Sequence, residues 1–495
     1  MKIYSSVILS KDLKEIPVFQ SGKLSASKYN PEKEGKLFAS TVEKSDFFVI
    51  FGFCAGFQIK NLIEKFPESS FLIVEYFEED LDFIKNLKIF SQIKEKIIFC
   101  SKNDFSQKLK ENYIPAKFST ISNLTLTAWK TENAEYFKIL SEIFQKTLKE
   151  ISVDFSTQAH FAKIWQKNIL ENLKLNDKSE EIEFDTKKTA FIIAAGPSLD
   201  ENINLIKNNK NAFIISTDTG FKILSKNQII PDVVLSIDGQ NVSCEHAAQK
   251  INKNTIFVFD YCASSNFVKK IKQNQNKIIF SSSNHPLISY ANLVNQNESS
   301  IKIEDSNGTV TIAALNFALF LGFSEIKILG ADFSYKNQKP YAKGSYLDDI
   351  FLRNSYKLST FETNFTKLMF RAKTFLNDEK NPTTEILSFY KESFVNLLKN
   401  KGLNFKYENN IYSIKNENAK VKKIQTFSFN FENFIKILNK NSENLIANPE
   451  SFINSDLEVA LLPMVSYYKM KNQNANFTEL LVEAAKNLQR YLKSL

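Results

Sequence analysis

Three short stretches in the middle of this chain have residue types and spacing suited to holding an anion and moving a proton beside it. In Gly196-Pro197-Ser198-Leu199 an apolar run breaks into a turn, and a helical pattern through Ile203 and Ile206 begins there. Glycine lets the backbone approach a ligand, Pro197 suits a first helical turn, and Ser198 offers a hydroxyl and the amides after it to a phosphate or ribose. Asn307-Gly308-Thr309 opens a second helical pattern running past Ala314, Phe317 and Leu321. Free amides and the positive helix end suit an anion there as well. Gly330-Ala331-Asp332-Phe333-Ser334-Tyr335, with Tyr341 and Tyr346 close behind, sets an acid at a strand end among phenols that can hydrogen-bond a sugar or a departing phosphate. Each stretch also has a plain structural reading: a turn, an ordinary N-cap, and tyrosines that anchor a loop.

The elements that must position these residues are legible as short apolar runs. Ala190–Ala195, Ala212–Ile215, Val233–Ile237, Ile256–Phe259, Ile278–Phe280 and Ile326–Leu329 read as strands, with helical patterns between several of them. Strand–helix alternation implies right-handed crossovers and an α/β, doubly wound, mainly parallel (Rossmann-like) sheet covered on both faces. Ligands of such sheets sit beyond the carboxyl ends of the strands. Those ends carry Gly196-Pro197-Ser198, Ser216-Thr217-Asp218, Asp238-Gly239-Gln240, Asp260, Ser281 to Asn284, and Gly330-Ala331-Asp332.

At 495 residues the chain exceeds the roughly 250–300 at which one core stops growing. We expect a central ligand-binding domain over 181–425, an N-terminal α/β domain over 1–180 that ends in helices, and a helical region over 426–495. In the first, Phe47–Phe51, Gly52 to Gly56, a helix through Leu62, and Phe71–Val74 ending in Glu75 follow the order of a dinucleotide-binding unit. With only two glycines, a βαβ unit kept for structure alone is the favoured reading. Trp165, among apolar positions at helical spacing, reads as core. In the last region Leu480, Leu481, Ala484, Leu488 and Leu492 form one stripe that packs on the preceding domain or on another copy.

Composition excludes several classes. The charge of +9 is the difference of 64 basic and 55 acidic side chains spread along the chain, and the one dense run, Lys420 to Lys423, reads as a solvated edge, so no nucleic-acid partner is expected. No apolar run approaches the ~20 residues of a membrane span, and the start lacks the cleavage site of a signal peptide, so the expected location is cytoplasmic and no membrane partner is expected. Cys54, Cys100, Cys244 and Cys262 are solitary, without metal-ligand spacing or a disulfide framework.

The order and separation of Gly196-Pro197-Ser198-Leu199, the Ser216-Thr217-Asp218 strand end, Pro231-Asp232 leading to Asp238, Asn307-Gly308-Thr309 with Leu321-Gly322-Phe323, and Gly330-Ala331-Asp332-Phe333 resemble the central domain of the motility-associated factor (Maf) proteins. More distantly, the run is similar to bacterial sialyltransferases and to the MptE-like pterin pyrophosphokinase domain. The Maf resemblance implies transfer of a nonulosonic acid, of the pseudaminic or legionaminic acid type, from its CMP form to Ser/Thr hydroxyls of flagellin. It implies the CMP-sugar as donor substrate, flagellin as acceptor, no tightly bound cofactor, and no assigned metal; a homo-oligomer is possible. Carried over, Gly196, Pro197, Ser198, Asp218, Asn307, Gly308 and Thr309 surround CMP, and Tyr335 and Tyr341 approximate the tyrosine pair that stabilises the leaving phosphate. Two departures matter: Ala195 stands where the sialyltransferases have asparagine, and no histidine follows His285, so their base has no counterpart. Candidates for the missing base are Asp238, Asp260 and Asp332 at strand ends and His285 in a polar turn, whereas Asp348 and Asp349 read as a solvated loop pair. The competing classes are a pyrophosphokinase and a non-catalytic flagellin-binding partner.

Overall fold

The computed structural model describes residues 2–240, 244, 251–296, 300–303 and 309–495. By its contacts the chain divides into two compact units, Met1–His160 with Pro463–Glu483, and Phe161–Leu462 with Ala484–Leu495. These bounds differ from the expected 180 and 425. Helix Ala134–Leu175 ends before residue 180 and runs unbroken through the division after His160, and the C-terminal helices contribute to both units. The C-terminal region is helical as expected, with Phe431–Ala447, Asp456–Lys471 and Phe477–Leu492. Leu480, Leu481, Ala484 and Leu488 are buried within the chain itself, so that stripe needs no second copy to cover it. No helix among the described residues is long and apolar enough to cross a membrane.

The first unit pairs β1 (Tyr4–Leu9) with β2 (Glu15–Phe19) in a hairpin. Its parallel sheet runs β5 (Ile98–Ser101), β4 (Ser70–Glu75), β3 (Phe47–Phe51), β6 (Ile121–Thr125). Every residue of β3 is fully buried, which is why an unbroken Phe-Phe-Val-Ile-Phe run forms a strand here. The glycine turn and strand-end acid expected for a dinucleotide are both present, but the acid is already engaged within the unit. Glu75 accepts hydrogen bonds from the Phe53 amide (2.6 Å), Tyr4 Oη (2.9 Å) and Trp129 Nε1 (3.1 Å). A Cβ on Gly52 would overlap the Trp129 ring, so this glycine is required for packing against an indole. The structural reading of this βαβ unit is therefore the one the geometry supports.

The second unit contains a nine-stranded sheet. After β7 (Glu181–Ile182) come β8 (Thr189–Ile193), β9 (Ala212–Thr217), β10 (Val233–Ser236), β11 (Ile256–Asp260), β12 (Ile278–Ser282), β13 (Ile301–Lys302) and β14 (Glu325–Leu329). A small hairpin, β15 (Thr374–Leu376) and β16 (Pro382–Thr384), precedes β17 (Asn404–Glu408), β18 (Ile411–Lys415) and β19 (Ile424–Gln425). The order is β13-β12-β11-β10-β9-β8-β14-β18-β17, parallel from β13 to β14, with β18 and β17 added antiparallel at one edge. All six expected strands are present. Alternate residues of β8 enter two cores: Ala190 and Ile192 pack with helix Val310–Leu321, and Phe191 and Ile193 with helices Leu199–Asn208 and Asp218–Lys226. Both faces are thus covered, as a mainly parallel sheet requires. Helix Val310–Leu321 is buried on nearly every side, which explains a composition with no polar stripe.

Glu75 generates a test on the first unit. Burial pushes its carboxyl up to about 8 from a usual 4.5, against the lowering effect of the Phe53 amide. Folded protein keeps the proton up to about pH 8 while the unfolded chain releases it near 4.5, so unfolding releases a proton between those values. Its stabilising contribution is complete below pH 4.5 and is lost as pH rises to about 8. Urea denaturation of wild type and Glu75→Ala at pH 5 and pH 8 should show a larger loss on substitution at pH 5, the variant being less stable by roughly 1–3 kcal/mol per donor left unpaired.

Candidate functional site

The sheet reverses its direction of growth at β8, with β9 to β13 laid on one side and β14 on the other. In open α/β sheets such a switch point leaves a crevice beyond the strands' carboxyl ends. A cavity of about 520 Å³ lies there, lined by Ala194 to Gly196 after β8, Thr217 and Thr219 at the end of β9, Thr309 to Thr311, and Gly330 to Tyr335 after β14. An insertion between β14 and β18 closes it with Tyr341, Tyr346, Arg371, Thr384 and Tyr390 among others.

Two turns lock the floor together. The Ala194 amide donates to the Leu329 carbonyl (2.9 Å) and the Gly196 amide to the Gly330 carbonyl (2.7 Å), extending the β8–β14 ladder past its last registered pair. The Ser198 amide then donates to Asp332 Oδ2 (2.9 Å). Gly330 takes φ +72°, a left-handed conformation open to glycine, and this turns the chain so that Asp332 faces back across β8. Burial raises the Asp332 carboxyl above its usual range, and the Ser198 amide acts in the opposite direction.

Two helix N-termini enter the cavity. Helix Asp218–Lys226 is capped by Thr217, whose Oγ1 accepts from the Gly220 amide (3.1 Å). Helix Val310–Leu321 is capped by Thr309, whose Oγ1 accepts from the Thr311 amide (3.3 Å). Each brings the partial positive charge of a helix start to the cavity, which favours an anion such as a phosphate, although the Thr219, Gly220 and Thr311 amides already bond to local side chains. Opposing them chemically are neutral phenols. Burial raises Tyr335, Tyr341 and Tyr346, and the positive charge of Arg371 acts to lower all three. The rings of Tyr341 and Tyr346 lie 6.3 Å apart.

Of the residues singled out in the sequence, Gly196, Thr309, Asp332, Tyr335 and Tyr341 line the cavity. Pro197 and Ser198 are buried beneath it. Asp218 is buried too, its Oδ2 accepting from Ser236 Oγ (2.6 Å) and its Oδ1 from the Thr219 amide (2.7 Å), so its neighbours Thr217 and Thr219 face the cavity in its place. Asn307 and Gly308 lie outside the described residues.

Three base candidates do not line the cavity, although the charge of Asp238 reaches the lining Tyr346 and acts to raise it. Asp238 Oδ1 accepts from the Gln240 amide (2.9 Å), and the neighbouring Gly239 carbonyl is bonded by Asn168 Nδ2 (2.9 Å). Asp260, pushed up to about 6 by burial, accepts from the Cys262 amide (2.8 Å). Asn168 and Asn172, one turn apart on helix Ala134–Leu175, fix the loop after β11 through the carbonyls of Tyr261, Cys262 and Ala263. His285 caps helix Pro286–Asn295, its Nδ1 accepting from the Leu287 amide (3.2 Å), and its ring meets Trp165 edge-on. Its Nε2 is buried without a partner among the described residues, and burial lowers its pKa to about 3, leaving it a poor proton acceptor. The expected solvated pair is also different: Asp348 and Asp349 sit in helix Tyr346–Arg353, where Asp349 bridges Lys222 and Lys226 at 2.7 Å each and so fastens Tyr346 beside the cavity.

Arg371, Tyr390 and Thr219 escaped the sequence reading, and Thr217 entered it only as part of the Ser216-Thr217-Asp218 strand end. The one available signal was that Arg371 is among only three arginines in the chain, with Arg353 and Arg490. The floor of the site can be tested by a methyl group. A Cβ at residue 196 would overlap Asp332 Oδ2 and the Gly330 carbonyl. Gly196→Ala should therefore lower stability by about 1–3 kcal/mol in urea denaturation, and an unchanged midpoint would contradict the packing of this turn.

Comparisons with known proteins centre on the same region. A model of the 6-hydroxymethylpterin diphosphokinase MptE-like family matches residues 167–338. Two uncharacterized proteins of Treponema pallidum (strain Nichols) are similar, one 41% identical over 141 residues and the other 32% identical over 143, each match spanning 28% of this chain. The chain spans about half the length of the first (49%) and 67% of the second. A solved Maf glycosyltransferase from Magnetospirillum magneticum AMB-1 is similar over 100% of this chain and 87% of its own, with a TM-score of 0.56 and 12% identity. The fold therefore resembles that of a Maf glycosyltransferase, with a segment similar to the MptE-like family at its centre, and the chain belongs to one family with the second Treponema protein.

Proposed function

We propose that this chain is a glycosyltransferase that moves a nonulosonic acid from a CMP-activated donor to a protein hydroxyl, with flagellin Ser/Thr as acceptor. The observation that carries this reading is the meeting of two helix N-termini, a row of phenols and the Asp332 carboxylate in one cavity at the sheet's switch point. Its volume lies within the roughly 300–1,000 Å³ of small-molecule sites. The solved protein of similar fold is itself described as a glycosyltransferase.

In this reading the donor phosphate rests on the Thr217 and Thr309 helix ends, with Gly196 giving its backbone room. The bond between the anomeric carbon and the phosphate oxygen breaks first, and the electron pair leaves with CMP. Tyr335 and Tyr341, kept protonated by burial, donate hydrogen bonds to the departing oxygen as its charge grows. The acceptor oxygen then bonds to the oxocarbenium-like carbon and surrenders its proton to Asp332. Among the described residues that carboxylate is the only one lining the cavity, and burial raises its pKa toward that of a usable base. A diphosphokinase reading draws on the MptE-like match, but one lining carboxylate among the described residues gives paired metal ions less purchase than such chemistry generally uses.

Intact-mass measurement of flagellin co-expressed with the chain and a CMP-nonulosonate pathway tests the activity. We expect a gain of one or more sugar masses, whereas unchanged mass with flagellin still bound would favour the partner reading. Asp332→Asn keeps an oxygen for the Ser198 amide and removes the base, so turnover should fall about 10²–10⁴-fold with the fold intact. Tyr341→Phe should lower kcat more than it raises KM, because its hydroxyl acts chiefly on the developing charge.

A further inference from the structure

Resting on the donor reading above, we infer that Arg371 is a second anion site in the cavity and that it binds the carboxylate of the donor sugar. Arginine is rare here, three of 64 basic residues, yet one of the three lines the cavity. Arg371 lies between helix Phe361–Met369 and β15, and no ion pair or hydrogen bond is recorded for it among the described residues. Its charge is felt instead by three phenols, Tyr335, Tyr341 and Tyr346. Phenols kept neutral by burial do not neutralise a guanidinium. Asp332 does not serve as its counter-ion either: the charges acting on Asp332 are those of Lys336 and Glu201, and its Oδ2 is held by the Ser198 amide.

The cavity therefore has two separate positive features. One is the pair of helix ends at Thr217 and Thr309, a setting for a phosphate. The other is a planar guanidinium flanked by hydroxyl donors, which matches a carboxylate two bonds at a time and leaves its remaining lone pairs for the phenols. A ligand that fills both carries a phosphate and a carboxylate. A nucleotide-activated keto acid sugar has that chemistry, and a nucleotide carrying a neutral hexose does not. Arg371 thus reads the acidic class of the sugar, while the helix ends hold the nucleotide.

Calorimetry on the full chain separates these roles, with CMP and CMP-N-acetylneuraminate as probes and thermal melts to confirm that each variant is folded. Arg371→Ala should weaken CMP-N-acetylneuraminate about 10–100-fold, the loss expected for a charge-assisted bond, and leave CMP within about twofold of wild type. Arg371→Lys should recover only part of the loss, because a point charge lacks the fork. Equal losses for both probes would overturn the inference and assign Arg371 to the phosphate. No change for either would overturn it by making Arg371 a bystander. A wild-type chain that binds CMP but gains nothing from the attached sugar would sink the carboxylate site alone. One that binds neither probe would sink the donor reading and this inference with it.

Discussion

The hydrogen bond from the Gly196 amide to the Gly330 carbonyl is the constraint on which the cavity depends. It carries the pairing of β8 and β14 past the point where both strands end, and it leaves no room for a side chain at residue 196. Because β8 and β14 are joined there, Asp332 is brought back under the first turn of helix Leu199–Asn208, where it meets the Ser198 amide. The Ala342 amide bonds the Ala195 carbonyl (2.9 Å), so the insertion that carries Tyr341 and Tyr346 is tied to the same turn. One backbone junction thus sets the acid, the phenols and the approach to the phosphate site.

Charge is arranged around that junction with little redundancy. Parallel strands deliver helices whose N-termini point beyond the carboxyl edge, so partial positive charge collects at the cavity without a lysine in its lining among the described residues. The insertion adds one full positive charge and several neutral donors. Asp349, bridging Lys222 and Lys226, holds that insertion to helix Asp218–Lys226, whose opening turn forms part of the phosphate setting. The first unit has the same strand–turn–strand grammar but the opposite outcome. Its acid is satisfied by Tyr4, Phe53 and Trp129, so its oxygens are already engaged within the unit.

Six of the seven parallel strands of the second unit were legible because strands buried on both faces must be continuously apolar, whereas the two-residue β13 is too short to show that pattern. The hairpin β17–β18 was not, since Ile411–Lys415 alternates over only five residues and its partner is mostly exposed. Gly196, Asp332, Tyr335 and Tyr341 could be read as site candidates because turn chemistry at a strand's carboxyl end is local. Asp218 and His285 show the limit of that reasoning: a polar residue beside a helix start serves equally as a cap or an internal acceptor, and which it does depends on what packs against it. Arg371 was beyond reach, because it enters the cavity on a long insertion whose path no local pattern sets.

The central claim is that the ligand site lies at the β8–β14 switch point. Hydrogen-exchange mass spectrometry of the chain with and without saturating CMP tests it directly. The account predicts slowed exchange in peptides covering 195–199, 217–220, 309–312 and 330–335, with peptides covering 52–56 and Glu75 unchanged. Protection confined to the first unit's glycine turn, or none at the switch point with CMP bound, would contradict it.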